Sequence, residues 1–355
     1  MSPNRSTRGP SHCQSSQAHP PLADAPREIR CLVTGGAGFI GSHLAEALLT
    51  RGRLVTVIDD ESTGTIANLT AARRSDRLRF VRGAISDEPL MRQLVSNADE
   101  VYHLAAAVGV ALIADDPIRT IETNINPTDL LLRIARDKLQ GGGQVRLFLA
   151  STSEVYGKNP KPSWTEDDDL VLGPTTRPRW AYGASKAIDE FLALAYWRQQ
   201  SLPVVVGRFF NVVGPRQTGQ YGMVLPRFVD AALAGRSLIV HDDGRQLRCF
   251  AHVSDVVAAV LALMDSQGAA GRVFNIGSDQ PVSILELAQR VIAAAQSTSG
   301  VEFQSYAAAY SADFEDVRSR VPDLTRLRDT IGYAPRYDLN AIIADVVRWK
   351  RESAS

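Results

Sequence analysis

Tyr182 and Lys186 stand four residues apart at the start of a segment, 183–200, whose apolar spacing predicts a helix. Residues at that separation share one helix face. A phenol has an ordinary pKa of about 10, too high for a base at neutral pH. A neighbouring ammonium stabilises the phenolate and lowers that value. The pair can therefore take the proton from a hydroxyl group while hydride leaves the same carbon. Tyrosine and lysine at this spacing are also common on exposed helices, so position in the chain has to carry the reading. Here the pair follows an apolar run at 145–150 that leads into Ser151-Thr152-Ser153-Glu154. The carboxyl end of such a strand is where ligands gather in an open α/β sheet. Thr152 can hydrogen-bond the same substrate hydroxyl, and Glu154 offers a second acid or base.

A hydride needs an acceptor, and the start of the chain supplies a place for one. Val33-Thr34-Gly35-Gly36-Ala37-Gly38-Phe39-Ile40-Gly41 directly follows the apolar run at 29–33. Gly35, Gly38 and Gly41 fall in the turn between a first strand and a helix at 39–51. One glycine makes a tight turn, one lets the backbone approach a pyrophosphate, and one allows close packing of helix on strand. The helix start then offers free N–H groups and partial positive charge to the phosphates. The second apolar run, 54–58, ends in Asp59, placed to accept hydrogen bonds from an adenosine ribose. The expected cofactor is NAD. Asp59, Asp60 and Glu61 put negative charge where the extra phosphate of NADP would lie.

The elements that must position these residues alternate along the chain. Strand-like runs at 29–33, 54–58, 78–82, 100–104, 145–150 and 204–209 interleave with helix-like segments at 39–51, 88–96, 118–138 and 183–200. Such alternation predicts a doubly wound parallel α/β sheet of Rossmann type, covered on both faces. After Gly214-Pro215 the pattern changes. Helix 224–234, strand 238–240, a helix near 253–265, strand 273–276 and helix 283–295 form a smaller, interleaved part. The expected division is a disordered tail at 1–27, a cofactor domain at 28–210 and a substrate domain over 211–350. Asp167-Asp168-Asp169 reads as a solvated loop.

Composition narrows the function classes. The 355 residues carry 45% hydrophobic side chains and a net charge of zero. That balance gives no general attraction to nucleic acid or an anionic membrane. No apolar run reaches the ~18 residues needed to span a bilayer. The tail, rich in Ser, Pro, His and Arg, lacks the apolar stretch of a secretory signal. Three scattered cysteines, Cys13, Cys31 and Cys249, form neither a disulfide framework nor a metal site. They fit a reducing, cytoplasmic setting, and no metal is expected.

Taken together, these motifs resemble the extended short-chain dehydrogenase/reductases, in particular the NAD-dependent epimerase/dehydratase family of nucleotide-sugar enzymes. The matching pieces are Thr34 to Gly41, Asp59, His103-Leu104-Ala105-Ala106, Ser151 to Gly157, Tyr182 with Lys186, Arg208 to Arg216, and Arg248-Cys249-Phe250, spread over about 28–340. The resemblance implies a seven-stranded Rossmann sheet, a small nucleotide-sugar domain, tightly bound NAD, and oxidation of the sugar at carbon 4. It implies cofactor contacts from Gly35, Gly38, Phe39, Ile40, Gly41, Asp59, Ile85, Leu104, Ala105, Ala106, Tyr182 and Lys186. Catalysis falls to Tyr182, Lys186, Thr152, Ser153 and Glu154. Asn211, Arg216, Arg248 and Arg318 are the expected substrate contacts. His103, His241 and His252 read as packing residues. The stripe Ile188, Phe191, Leu192, Ala195 reads as core or as the face of a homodimer.

Within that family the closest resemblance is to UDP-glucuronate decarboxylases. It rests on Thr152-Ser153-Glu154, on Gly173-Pro174 with Pro178-Arg179-Trp180-Ala181-Tyr182, on Gly244 to Phe250, and on Phe314-Glu315-Asp316-Val317-Arg318. Three features depart from it. Ala84 stands where relatives carry an Asp for the adenine, Pro127 replaces a frequent glycine, and Tyr221 to Pro226 is more like the epimerases. The implied reaction converts UDP-glucuronate to UDP-xylose or its 4-keto form. The alternatives are a UDP-hexose or UDP-hexuronate 4-epimerase, then a 4,6-dehydratase or a non-catalytic NAD-binding regulator.

Overall fold

In β1 (Arg30–Thr34) every residue from Cys31 to Thr34 is buried. Successive side chains on a strand point to opposite faces. Cys31 and Val33 enter one apolar layer and Leu32 the other. The same split holds for Val55 and Val57 against Ile58, and for Val205 against Val204 and Val206. Both faces of the sheet are therefore covered, as continuous apolar strands require. The structure is a computed structural model that describes Met1 and residues 28–106, 117–219, 223–306 and 317–354. Beyond Met1, the expected tail lies outside the described residues, as do 221–222 and 314–316 of the motifs above.

The remaining strands are β2 (Leu54–Asp59), β3 (Leu78–Arg82), β4 (Glu100–His103), β5 (Arg146–Thr152), β6 (Val204–Phe209), β7 (Val212–Val213), β8 (Leu238–His241), β9 (Leu247–Cys249), β10 (Ala251–His252), β11 (Arg272–Ile276), β12 (Pro281–Ser283), β13 (Val301–Gln304) and β14 (Ser319–Arg320). The helices are α1 (Phe39–Thr50), α2 (Glu88–Ser96), α3 (Pro117–Gln140), α4 (Ala181–Gln200), α5 (Val224–Leu233), α6 (Val253–Asp265), α7 (Ile284–Ala295), α8 (Thr325–Ile331) and α9 (Leu339–Ala354).

Seven parallel strands form the main sheet in the order β11-β6-β5-β4-β1-β2-β3. This is the expected Rossmann arrangement. α1 and α6 cover one face, and α2, α3 and α4 the other. α5, α7 and α9 enclose a separate core with β8. Two small ladders join the parts, β7 beside β10 and β9 between β12 and β14. Strand β11, grouped from sequence with the C-terminal part, completes the main sheet beside β6. The strand order reverses between β1 and β4, which opens a crevice at their carboxyl ends.

Two local readings change. Asp168 is not solvated: its carboxylate accepts from the Thr165 backbone N–H at 3.0 Å and the Thr165 hydroxyl at 2.9 Å. The α4 stripe divides, with Leu192 packed against the core while Ile188 and Phe191 stay exposed. No helix among the described residues is long and apolar enough to cross a membrane.

Candidate active site

A cleft of about 1010 Å³ runs from the glycine turn to the small β9 ladder. Gly35 adopts φ +66°, and a Cβ there would lie 2.8 Å from the Ala105 nitrogen. At Gly41 a Cβ would lie 2.3 Å from the Gly35 oxygen. α1 thus begins directly against the turn. Its cap residue, Gly38, brings no side chain to the first N–H groups. Those groups remain for an anion. Phe39, Ile40, Ile85, Leu104, Ala105 and Ala106 line the cleft beyond.

Asp59 has a second role that the sequence did not indicate. Its Oδ2 accepts from the Ala37 N–H at 2.9 Å and its Oδ1 from the Glu61 N–H at 2.8 Å. Burial pushes this carboxyl up and the two N–H bonds act against it. Asp59 therefore fastens the glycine turn while also lining the cleft. Close-approach glycines, an uncapped helix start and a lining carboxylate fit a dinucleotide.

His103 is a packing residue, and its place explains how β1, β4 and α3 are joined. Thr34 and His103 are register partners. The Ala105 N–H donates to Thr34 Oγ1 at 3.3 Å, and that hydroxyl lies 2.8 Å from His103 Nδ1. His103 Nε2 lies 3.2 Å from Thr128 Oγ1, which donates to the Asn124 carbonyl. One assignment satisfies the whole chain: Nε2 carries the proton and Nδ1 accepts. Burial, then the charge of Lys186, pushes this imidazole down to about 3, so it is neutral.

β5 delivers Thr152, and the turn Ser153–Tyr156 delivers Ser153 and Glu154. Tyr182 and Lys186 arrive on the first turns of α4, and all five line the cleft. The expected effect of Lys186 on Tyr182 is not what the structure holds. Lys186 Nζ donates to Asp189 Oδ2 at 2.8 Å. The Tyr182 phenol is pushed well up, by burial first and then by the charge of Glu154, while a hydrogen bond with Thr152 acts against the rise. An ammonium answered by its own carboxylate has little field to spare for a neighbour.

Glu154 also differs from one of its expected roles. Arg179, in the turn Pro178–Trp180, lies 2.9 Å from Glu154 Oε2, and Arg320 on β14 donates to Oε1. Burial alone would raise this carboxyl, but the two guanidiniums outweigh it and hold it down at about 2. Glu154 is therefore a carboxylate, with no proton to donate at neutral pH.

On the substrate side, Asn211 and Arg248 line the cleft. Asn211, at φ +29°, donates to the Cys249 carbonyl at 2.9 Å and so ties β6 to β9. Arg216 lines the cleft as well, with its guanidinium fastened to Glu46 and Ser42 of α1. Arg318 is a correction. Its side chain is 68% exposed and held by Asp243 at 2.8 and 3.0 Å, outside the cleft. Arg320, two residues on, is the one that enters.

The sequence reading passed over Arg320, Arg179 and Asp189 as functional residues. Asp189 had a legible signal, the three-residue helix spacing from Lys186. Arg320 had none, because it is 166 residues from Glu154 and lies on a two-residue strand.

Comparisons with known proteins identify the family. A UDP-N-acetyl-α-D-glucosaminuronate decarboxylase of Bacillus cytotoxicus is 40% identical over 91% of this chain and 98% of its own length. A dTDP-glucose 4,6-dehydratase of Streptomyces griseus is 36% identical over 91% of this chain and 94% of its own. The structure of a UDP-glucuronic acid 4-epimerase of Bacillus cereus, with UDP-glucuronic acid and NAD, superposes with a TM-score of 0.81 at 27% identity, over 92% of this chain and 100% of that one. With residues 32–346 matching the family model described as GDP-mannose 4,6 dehydratase, the chain belongs to that family of NAD-dependent nucleotide-sugar epimerases and dehydratases, within the extended short-chain dehydrogenase/reductases.

Proposed function

We propose that this chain is an NAD-dependent UDP-hexuronate decarboxylase acting on UDP-glucuronate or its 2-acetamido counterpart. The observation that carries the reading is the convergence of Arg179 and Arg320 on Glu154, beside Tyr182. A neutral hexose has no use for two guanidiniums next to the base. A hexuronate brings a carboxylate there, and each guanidinium has five N–H donors to share between it and Glu154.

Tyr182 takes the proton of the carbon-4 hydroxyl at its phenol oxygen, with Thr152 holding the same hydroxyl. The glycine turn, Asp59 and Lys186 would hold NAD, which would supply a hydride acceptor and later a donor at carbon 4. With a ketone at carbon 4, the carboxylate on carbon 5 is β to a carbonyl and leaves as carbon dioxide. Negative charge then gathers on the carbon-4 oxygen, where protonated Tyr182, Thr152 and Ser153 donate to it, and carbon 5 takes a proton from water to restore the ketone. Glu154 stays ionised and orients the substrate carboxylate through Arg179 and Arg320. Asn211 and Arg248 hold the diphosphate.

We further infer a homodimer through α3 and α4, where Ile118, Ile121, Ile188 and Phe191 stand exposed on neighbouring helices. The buried thiols of Cys31 and Cys249 suit the cytoplasm. The substrate half is read as mainly 211–350.

A second reading, a UDP-hexuronate 4-epimerase, shares the first step and draws on the likeness to the Bacillus cereus enzyme. Incubation with NAD and, separately, UDP-glucuronate, UDP-2-acetamido-glucuronate or UDP-glucose separates the two, read by mass spectrometry. Carbon dioxide loss from a hexuronate alone is expected. A carbon-4 epimer with the carboxylate intact would replace the first reading by the second. No turnover of either hexuronate would refute both.

A further inference from the structure

We propose that Asp189 is a tuning residue that sets the pH at which Tyr182 works, by neutralising Lys186 from within the protein; this rests on Tyr182 being the base. Lys186 and Asp189 lie three residues apart on α4, with side chains 3% and 0% exposed. The ammonium of Lys186 meets Oδ2 of Asp189 at 2.8 Å, and among the described residues Oδ1 accepts no hydrogen bond. The Thr128 hydroxyl faces this carboxyl from α3 but gives its proton to the Asn124 carbonyl. The adjacent Glu190 is taken up by Arg208 and Ser151. His103, on β4, is neutral. The cation that answers Asp189 among these groups is Lys186.

A buried ion pair is a weak source of stability, because desolvation offsets much of the attraction. Its effect on a neighbour is larger. A lone ammonium would pull the Tyr182 phenol down, whereas an ammonium with a carboxylate at 2.8 Å acts at longer range as a dipole. The charge of Asp189 in fact raises the Tyr182 phenol, in the same direction as burial and Glu154. Asp189 thus reserves Tyr182 as a proton holder until the cofactor and substrate complete the site.

Asp189→Asn removes the charge and keeps the shape. Two titrations test it. One follows tyrosinate absorbance in the cofactor-free protein, taking the signal lost in Tyr182→Phe as that of Tyr182. The other follows the acidic limb of kcat/KM for UDP-glucuronate with NAD bound. Both should move down by about one pH unit or more in Asp189→Asn. Asp189→Ala carries the same expectation should the amide disturb folding, which circular dichroism reports. Unmoved titrations in a folded variant overturn the proposal. Failure of both variants to fold also overturns it, since the carboxylate would then serve structure. Should Tyr182→Phe keep its turnover, the assignment of the base is what fails. An inactive Tyr182→Phe beside an unmoved Asp189→Asn fails this inference alone.

Discussion

Glu154→Gln keeps the shape of the side chain between Arg179 and Arg320 and removes its charge. The wild-type carboxyl is held at about 2, against an ordinary 4.5. That difference favours the ionised form by about 3 kcal/mol. Glutamine leaves two guanidiniums, 8% and 11% exposed, facing a neutral amide. We expect a loss of about 3 kcal/mol at pH 7, in line with breaking one side of a buried pair. With an unfolding entropy of about 2.1 cal/mol/K per residue, the melting midpoint should fall by about 4 °C. The sign with pH follows from the depressed carboxyl. Its contribution is complete above pH 4.5 and is lost as the pH falls towards 2. Calorimetric melts of the two proteins should therefore stay equally far apart from about pH 6 to 8. UDP-glucuronate should narrow the gap more than UDP-glucose does, because its carboxylate replaces the missing charge. In turnover the variant should still form NADH and the 4-keto sugar but release little carbon dioxide. A drop under about 1 °C would refute the reasoning, since the arginines would then be satisfied without the carboxylate.

Tyr182→Phe should lower turnover by ~10²–10⁴-fold while sparing NAD binding, since only the proton-accepting oxygen is lost; near-normal rates would mean another group is the base. Gly41→Ala drives a Cβ to 2.3 Å from the Gly35 oxygen. Overpacking of that kind costs about 1–3 kcal/mol, so NAD affinity measured by calorimetry should fall at least about fivefold. NADP should bind several-fold more weakly than NAD, because Asp59 and Asp60 line the cofactor end of the cleft. Equal affinities would show that Arg82, which reaches Glu61 at 2.9 Å, offsets that charge.

Much of the fold was legible because its signals are local. The helix read at 88–96 is α2 itself, and that read at 39–51 ends one residue earlier, at Thr50. Buried parallel strands announce themselves as apolar runs. Glycines at the turn did so through spacing. The partners of Glu154 were hidden for the opposite reason. Arg320 sits on a two-residue strand, too short to show any period. Arg318 and Arg320 look alike in sequence, and only the pairing of Arg318 with Asp243 outside the cleft tells them apart. The surroundings of Tyr182 were not legible either. Spacing put Lys186 and Tyr182 on one helix face but could not say that the ammonium would meet Asp189, or that burial and two carboxylates would raise the phenol.

The return of the chain to the main sheet has a mechanical consequence. After α5, β8 and β9 have built the second core, α6 and β11 lie back against the first, and β12, α7 and β13 leave it again. The two cores are thus laced together by several passes of backbone, with the β7–β10 ladder lying along the seam. Several crossings restrain a hinge more than a single one does. The width of the cleft is therefore expected to vary less than it would across a single-strand joint.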